Sequence, residues 1–300
     1  MPDIKKILLP IDVTHPHPEF LPLLNELVPL SGAQVLLLYV KEEWPAMEHR
    51  MRTLAHSADE LDRSVNEKAG KVLEEIKVKV EQFGAAVKTE IVGGPAAAMI
   101  EAVARDEGYN MTALTPGSPQ SVDKFMLGRV SARVVRHAPG MVLLLRGPLP
   151  EKIDHVVIGL DGSQPALDAM TMAAHLFSFH EKATKITLVS VVSISRVFTM
   201  FSPVEYVSAL ESNLKMTSEA LLAEGEKVLA QLAIKNVEMK LTEGHTAEEL
   251  IKVANELGAG LIVVGSQGKD AIKHFIMGST SSTLATHANC PVAVFKGDHA

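Results

Sequence analysis

The chain has 300 residues, of which 47% are hydrophobic and 4% aromatic, and its formal net charge at pH 7 is -7. This length suggests two domains of ordinary size. The acidic balance argues against a general nucleic-acid or anionic-membrane binder, because such proteins present a basic surface. The chain has a single cysteine, Cys290, so it carries no disulfide framework and no zinc site built of thiolates.

Targeting and membrane segments are not evident in the sequence. The apolar run that follows Lys6 is interrupted at Pro10, which is too short for the core of a signal peptide. No uninterrupted apolar run reaches the roughly 18 residues that a membrane-spanning helix needs. We therefore expect a soluble, cytoplasmic protein that does not insert into a membrane.

The chain contains one unit twice. Residues 6–12 match residues 155–161, and from Ile91 to Leu145 the second copy follows the first at a constant offset of 150 residues. The Pro/Gly-rich segment 146–150 lies between the copies and is typical of a short linker. We predict two tandem domains, spanning residues 1–147 and 152–297.

Each copy alternates short apolar segments with longer amphipathic ones, which predicts strands separated by helices. In the first copy we predict one long helix, at residues 46–84, and five strands, at residues 4–9, 34–40, 87–92, 111–114 and 141–145. In the second copy we predict three longer helices, at residues 166–180, 203–232 and 247–257. We also predict five strands, at residues 155–160, 185–192, 237–241, 261–264 and 291–295.

This alternation predicts an α/β fold with two tandem doubly wound, parallel, five-stranded sheets of the Rossmann-like kind. In such sheets ligands bind beyond the carboxyl ends of the strands, where the strand order reverses. Two strand ends in the second copy carry the best candidates, one after Leu160 and one after Val264.

The second of these strand ends opens a glycine-containing stretch with the spacing G-x2-G-x9-G-[ST], formed by Gly265, Gly268, Gly278 and Ser279. Glycines let the backbone turn sharply and approach a ligand closely. Successive backbone N–H groups and a helix N-terminus then form a cradle for a phosphate group. Hydroxyls of Ser279, Thr280 and Ser281 and the ammonium group of Lys269 would add polar contacts. The stretch is not a P-loop, because no G-x-x-x-x-G-K-[ST] occurs in the chain.

This spacing resembles the ATP-binding class of the universal stress proteins, and the resemblance extends over both copies. It implies ATP as the ligand, with or without Mg²⁺, and no other metal. It also implies that Asp161 faces the adenine and the nearby sugar, and that the backbone of Val191 meets the adenine. The nucleotide site implied in this way comprises Gly159, Leu160, Asp161, Val191, Val264, Gly265, Gly268, Lys269, Gly278, Ser279, Thr280 and Ser281.

Two of these residues also have a structural interpretation, which for Asp161 is compatible with nucleotide binding. Asp161 precedes Ser163 and Pro165, which are suited to the start of a helix, so its carboxylate could help to cap that helix. Val191 is an apolar strand residue and could simply pack in the core. Both alternatives remain open from the sequence.

The first copy departs from the glycine pattern. Thr115 replaces the first glycine, Ser118 the second, and Arg129 the residue after the retained glycine. Pro116 also removes one backbone N–H from the equivalent stretch. Asp12 is retained. We predict that this copy binds ATP weakly or not at all, and that Arg129 either fills the pocket or holds another anion.

The stretch 196–203 places phenylalanine and methionine after a predicted strand, where a loop is usually polar. It could be a lid over the nucleotide or a contact with another domain or partner chain. We rank packing within the molecule first.

His15 and His17, in the first copy, lie close together in the sequence but have no third ligand beside them, so no metal site is predicted there.

The leading hypothesis is a nucleotide-dependent stress regulator that binds unknown protein partners in an ATP-sensitive way. No general base is evident, so we expect at most slow ATP hydrolysis. The resemblance implies that the copies pack as an intramolecular pseudo-dimer through their last strands, with a homodimer as a further assembly. One alternative is an adenylyl-transferring or ATP-hydrolysing enzyme, although neither H-x-G-H nor S-G-G-x-D-S occurs. The other is a ligand-free scaffold in which both sites are vestigial.

Overall fold

The computed structural model describes residues 5–42, 55–115, 128–147, 152–179, 184–194, 196–266 and 278–296. These residues form two compact units, and the chain passes from the first to the second after Val142, within the strand Gly140–Leu144, which completes the strand order of the first unit.

The first unit alternates strands and helices, as predicted. Its elements are β1 (Lys6–Pro10), α1 (Leu21–Leu27), β2 (Gln34–Lys41), α2 (Ala55–Glu81), β3 (Ala86–Gly93), α3 (Ala96–Asp106), β4 (Met111–Leu114), α4 (Arg129–His137) and β5 (Gly140–Leu144). A single 3₁₀ turn, Pro18–Phe20, precedes α1.

The second unit repeats this order, and its described residues include a further short helix between the second strand and the long helix; residues 43–54, between the same elements of the first unit, lie outside the described residues. Its elements are β6 (His155–Gly159), α5 (Gln164–Leu176), β7 (Lys185–Val192), α6 (Arg196–Phe201), α7 (Val204–Gln231), β8 (Val237–Glu243), α8 (Thr246–Glu256), β9 (Leu261–Gly265), α9 (Ser279–His287) and β10 (Val292–Lys296).

The strand order confirms the doubly wound fold in each unit. The order is β3-β2-β1-β4-β5 in the first unit and β8-β7-β6-β9-β10 in the second. The pairings β1–β2, β1–β4 and β2–β3, and their counterparts β6–β7, β6–β9 and β7–β8, are all parallel. Consecutive strands therefore run outward from β6 to β8, and the chain then returns to β9 on the other side of β6. The order reverses between β6 and β9, which is where such sheets bind ligands.

The repeat is visible in the element boundaries. Helices α3 and α8, and likewise α4 and α9, begin and end 150 residues apart. The turns before α3 and α8 both use a glycine with positive φ, 136° at Gly94 and 141° at Gly244. Side chains with a Cβ rarely adopt this conformation, which explains why glycine stands at both positions.

The central strands are buried on both faces because helices cover each sheet. Strand β6 has the burial expected of a parallel core strand, with Val156, Val157 and Ile158 fully buried. The outer strands β3 and β8 are more exposed and carry alternating charged residues, which protects a sheet edge from pairing with other chains. Among the described helices, none combines the length and the apolar composition needed to cross a membrane.

Two details of the second unit differ from the sequence prediction. The helix predicted at 166–180 begins two residues earlier and ends at Leu176, because Ser163 caps its first turn and Ser178 takes a positive φ of 52° after it. The stretch 196–203 was expected to pack within the molecule, and this is wrong for its described side chains. It forms α6, and Met200 and Phe201 are highly exposed.

Candidate functional site

The end of β9 and the start of α9 are joined by hydrogen bonds. The hydroxyl of Ser281 donates to the carbonyl oxygen of Gly265 at 2.9 Å. The backbone N–H of Gly278 donates to the carbonyl oxygen of Ser266 at 2.8 Å. These contacts hold the N-terminus of α9 directly at the carboxyl end of β9, as the glycine pattern predicted for a phosphate cradle.

Helix α9 begins with backbone N–H groups that have no acceptor within the helix. Its N-cap residue, Gly278, provides no side-chain cap, and its first turn contains no acidic residue. The first N–H bonded inside the helix is that of Ser282, which donates to Gly278 at 3.1 Å. The N–H groups of Ser279, Thr280 and Ser281 have no acceptor inside the helix, as at any helix start. Together with the positive end of the helix dipole, they favour an anion at this position.

Gly265 is needed for close packing as well as for any ligand. A Cβ added to it would lie 2.9 Å from the carbonyl carbon and oxygen of Pro165 and 3.0 Å from the nitrogen of Ala166. These are backbone atoms at the start of α5, which cannot move aside like a flexible side chain. The end of β9 and the start of α5 can therefore approach each other closely because position 265 has no side chain.

Asp161 shapes the loop after β6. Its Oδ1 accepts hydrogen bonds from the backbone N–H of Ser163 at 2.9 Å and from the Ser163 hydroxyl at 2.6 Å. The hydroxyl oxygen of Ser163 in turn accepts a hydrogen bond from the backbone N–H of Ala166 at 3.3 Å, which caps α5. The helix-capping role considered from the sequence is therefore present, and a contact between this carboxylate and a nucleotide stays a prediction.

The remaining described candidates lie on the strands beside this loop. Gly159 ends β6, and the buried Leu160 extends its pairing by donating its N–H to the carbonyl oxygen of Val189 at 2.8 Å. Val191 is half-buried near the end of β7, and Val264 is buried in β9. Strands β6 and β9 are adjacent, with Val156–Ile158 in register with Leu261–Val263. The described candidates at the ends of β6 and β9 therefore lie at the same edge of the sheet.

Two predicted site residues, Gly268 and Lys269, lie outside the described residues, as do Pro116 and Ser118 of the first copy. Of the hydroxyl residues on α9, Ser279 is exposed and Thr280 is half-buried. Ser281 is buried, and its only O–H group already donates to the backbone. It therefore offers a ligand its backbone N–H.

Ser266 is a contributor that the sequence interpretation missed. It is buried, and its backbone N–H donates to the carbonyl oxygen of Phe295 at 2.8 Å, extending the pairing of β9 with β10. This changes the interpretation of Pro116, its counterpart in the first copy. The N–H that proline lacks belongs, in the second unit, to the strand pairing and not to the cradle. No local sequence signal indicates this, because the partner is on another strand.

The corresponding place in the first unit is chemically different. Arg129 is the first residue of α4 and is exposed, so a cation stands where α9 has a serine. One turn further, Arg133 Nε donates to Glu101 Oε1 at 3.1 Å, and this carboxylate is largely buried. Asp12 forms the same turn as Asp161, accepting from the N–H of Thr14 at 2.9 Å and from its hydroxyl at 2.6 Å.

In the second unit, burial shifts the pKa of a group at the start of β6 and of another just before β10. Burial lowers the pKa of His155 at the start of β6, with the positive charge of Lys185 acting in the same direction. Its Nε2 is 2.8 Å from the hydroxyl oxygen of Thr187. Burial also raises the pKa of Cys290 to about 12, so its thiol is protonated and unreactive at neutral pH. Within the described residues, no cluster of three His, Cys, Asp or Glu side chains is arranged to hold a metal ion.

Comparison with known proteins agrees with the repeat. The model of the universal stress protein family matches residues 3–146 and again residues 152–296. A universal stress protein of Staphylococcus haemolyticus is 31% identical over 143 residues, which cover 47% of this chain and 84% of that protein. A relative from Staphylococcus aureus strain USA300 is also 31% identical over 143 residues, covering 47% of this chain and 83% of that protein.

Solved structures share the fold over the full length. A universal stress protein from Archaeoglobus fulgidus is 19% identical, with a TM-score of 0.63, and the match covers 98% of this chain and 97% of that one. A functionally unknown protein from Pseudomonas aeruginosa is 15% identical, with a TM-score of 0.60, and the match covers 99% of this chain and 94% of that one. With two consecutive matches that span nearly all of its length, the chain belongs to the universal stress protein family, as a tandem of two such domains.

Proposed function

We propose that the second unit binds ATP, with its phosphates at the N-terminus of α9, and that the first unit does not. One observation carries this proposal. The uncapped start of α9 is bonded to the end of β9, beside the point where the strand order of the sheet reverses. Backbone donors at the start of a helix in such a position suit a phosphate group.

The difference between the units supports the assignment to the second one. The second unit has small residues at the strand end and at the helix start, Gly265 and Ser279, which leave room for close approach of a ligand. The first unit has Thr115 and Arg129 at these places. A threonine and an arginine side chain occupy space that phosphate oxygens would need.

We further propose that this protein is a cytoplasmic regulator that binds protein partners according to its nucleotide state. Hydrolysis needs a group that accepts a proton from the attacking water. The carboxylate of Asp161 lies in the loop after β6, and one of its oxygens already accepts two hydrogen bonds in that loop. Any ATPase activity should therefore be slow. Self-association through the last strands also stays a prediction.

The test is nucleotide stoichiometry. Freshly purified protein is denatured, and the adenine nucleotide released per chain is measured with and without prior incubation with ATP and Mg²⁺. We expect about one ATP per chain, because one of the two units retains the glycine pattern. About two per chain would show that the first unit also binds, and none under either condition would favour the ligand-free scaffold.

A matched pair of variants locates the site. Gly268→Val should abolish ATP binding by filling the glycine loop while leaving the fold intact. Gly128→Val is the control in the first unit. A Cβ at position 128 would meet no atom within 4 Å, and its φ is ordinary, so this variant should fold and bind one ATP. Unchanged ATP affinity in Gly268→Val would reject the site.

A further inference from the structure

Three arginines lie on one exposed face of helix α4 in the first unit. They are Arg129, Arg133 and Arg136, and all three are exposed. The spacing of four and then three residues places their side chains along one stripe of a helix with 3.6 residues per turn. The stripe extends over about 10 Å of the helix axis, at about 1.5 Å per residue. We call it the α4 arginine row.

Two members of the row, Arg129 and Arg136, are not needed to attach α4 to the first unit. The helix buries Val134 and Val135, so its apolar contacts are made by another face. At the places equivalent to the row, α9 carries only hydroxyl residues: Ser279, Thr283 and Thr286. A helix in this position of the fold is therefore formed in the second unit without these charges.

The described surroundings of the row are basic. Helices α3 and α4 carry four arginines against two carboxylates, a net charge of +2: Arg105, Arg129, Arg133 and Arg136, with Glu101 and Asp106. The equivalent helices α8 and α9 carry one lysine against three carboxylates, a net charge of -2: Lys252, with Glu248, Glu249 and Glu256. The first unit is thus basic at a place where the second unit is acidic.

Charges beside these helices leave this balance unchanged. Glu107 directly follows α3, and the ammonium group of Lys6, which donates to the Glu107 carbonyl oxygen at 3.1 Å, offsets its charge. The sequence between β4 and α4 adds one acidic and one basic residue, Asp123 and Lys124. The row therefore belongs to a basic region of a chain whose total charge is -7.

Of the three guanidinium groups, that of Arg133 is paired inside the unit. Its Nε donates to Glu101 Oε1 at 3.1 Å. Arg129 and Arg136 form no ion pair with any carboxylate in the described part of the chain. Arg129 also stands in the first turn of α4, where the positive end of the helix dipole disfavours a cation. Like charges three and four residues apart repel each other as well. Carboxylates of another molecule would relieve both effects.

We propose that the α4 arginine row docks an acidic segment of a partner protein, with carboxylates facing Arg129 and Arg136. A guanidinium group binds a carboxylate through two parallel hydrogen bonds, which orients the segment as well as attracting it. Arginine clusters are a recurring means of recognising acidic motifs. The overall charge of -7 repels a long polyanion such as a nucleic acid, so a short acidic segment is favoured. The proposal rests on the partner-binding part of the proposed function and not on nucleotide binding.

The test uses the full chain and two labelled peptides of about 8 residues, long enough to cover the row when extended at about 3.3 Å per residue. One peptide alternates glutamate and serine, and the other has glutamine in place of each glutamate. Binding is measured by fluorescence anisotropy at a low and a higher salt concentration. We expect the glutamate peptide to bind at least about tenfold more tightly than the glutamine peptide, and less tightly at the higher salt concentration.

Charge variants locate the peptide. Arg129→Gln/Arg136→Gln leaves the ion pair of Arg133 in place and should weaken binding of the glutamate peptide by about tenfold or more. Lys68→Gln/Lys71→Gln is the matched control, because it removes the same charge from exposed residues of α2 in the same unit. It should bind the peptide as the parent chain does. Circular dichroism checks that each variant is folded. The ATP bound per chain should be equal in all three proteins, so failure of this proposal is distinguishable from failure of the nucleotide site.

Several outcomes would overturn the proposal. Equal affinity for the two peptides, or no binding of the glutamate peptide, would exclude an acidic partner segment. Undiminished binding by the arginine variant would place the peptide elsewhere, and an equal loss in the lysine variant would assign binding to overall charge. Tighter binding of a single-stranded oligonucleotide that the arginine variant loses would make the row a nucleic-acid site. Self-association that the same variant abolishes in sedimentation would assign the row to a second copy of this chain.

Discussion

Helices α4 and α9 occupy equivalent places in the two units, but their first turns have different chemistry. Helix α9 begins with five hydroxyl residues, 279–283, and one of them, Ser281, ties it to the end of β9. Helix α4 begins with Arg129 and is tied to α3 through the ion pair of Arg133 and Glu101. The two helices are thus held in place by different contacts. The residues of the first turn can therefore differ between the units while the helix is retained in both.

The loops after β1 and β6 show the opposite behaviour. Asp12 and Asp161 form the same turn, with equal distances to the backbone and hydroxyl of the residue two positions later. Since the turn is intact in the unit that lacks the glycine pattern, retention of this aspartate is explained by the turn itself. The comparison teaches that the residues after β9 and at the start of α9 discriminate between the units, whereas the aspartate does not.

The largest expected effect comes from giving the second unit the residue of the first at the end of β9. Gly265→Thr would place a Cβ about 3 Å from backbone atoms of Pro165 and Ala166. We expect a loss of about 1–3 kcal/mol in the free energy of unfolding, as for overpacked sites, together with weaker ATP binding. Urea unfolding measures the first and calorimetric titration the second. The reverse change in the first unit, Thr115→Gly, is the control and should leave ATP binding as it was.

A smaller effect is expected from Ser281→Ala. This change removes the bond to the Gly265 carbonyl and leaves that oxygen without its side-chain donor, at a cost of about 1–2 kcal/mol. Hydrogen exchange of β9 and α9 should rise, and thermal melting should occur at lower temperature. Ser282→Ala is the matched control, because the hydrogen bond at that residue uses its backbone oxygen and survives the change. Equal effects of the two changes would contradict the tie between β9 and α9.

The ion pair of Arg133 and Glu101 tests how the equivalent helix of the first unit is held. Glu101→Ala should cost about 1 kcal/mol, because Arg133 is half-exposed and recovers much of its hydration when the pair is broken. The double change Glu101→Ile/Arg133→Thr installs the residues of the second unit, Ile251 and Thr283. We expect it to be closer to the parent chain in urea unfolding than Glu101→Ala is. A double variant less stable than the single one would show that the ion pair is required.

The smallest effect concerns pH. His155 has a lowered pKa in the folded chain, so below its usual pKa of about 6.5 the unfolded chain binds the proton more readily. Stability should therefore be full above that pH and decline as the pH falls towards the folded pKa. The first unit has the partly exposed Lys6 at the start of the equivalent strand. In His155→Gln the melting temperature should fall less between pH 7.5 and pH 5.5 than in the parent chain. An equal fall would assign the acid sensitivity to other groups.

The sequence was sufficient for the fold because its signals are local. Runs of β-branched and aliphatic residues, such as Leu261–Gly265, are apolar enough to predict buried strands. Proline and serine at the start of α5 predict a helix start, and the repeat places the same elements in both halves. Helix and strand ends were predicted less accurately, as at Leu176, because the final turn of a helix depends on its surroundings.

Only the tertiary structure decided which residues far apart in the chain contact each other. The glycine pattern predicted a cradle at Gly265, but its closest neighbours, Pro165 and Ala166, lie in a different β-α segment. The buried hydroxyl of Ser281 was predicted to face a phosphate, and its donor is used by the backbone of β9. The side chains of Met200 and Phe201 are apolar enough for a core, but both are highly exposed, and the first half of α7, which follows them in the chain, buries no residue. Composition and periodicity record how costly a side chain is to expose, whereas the packing of distant segments determines whether anything covers it.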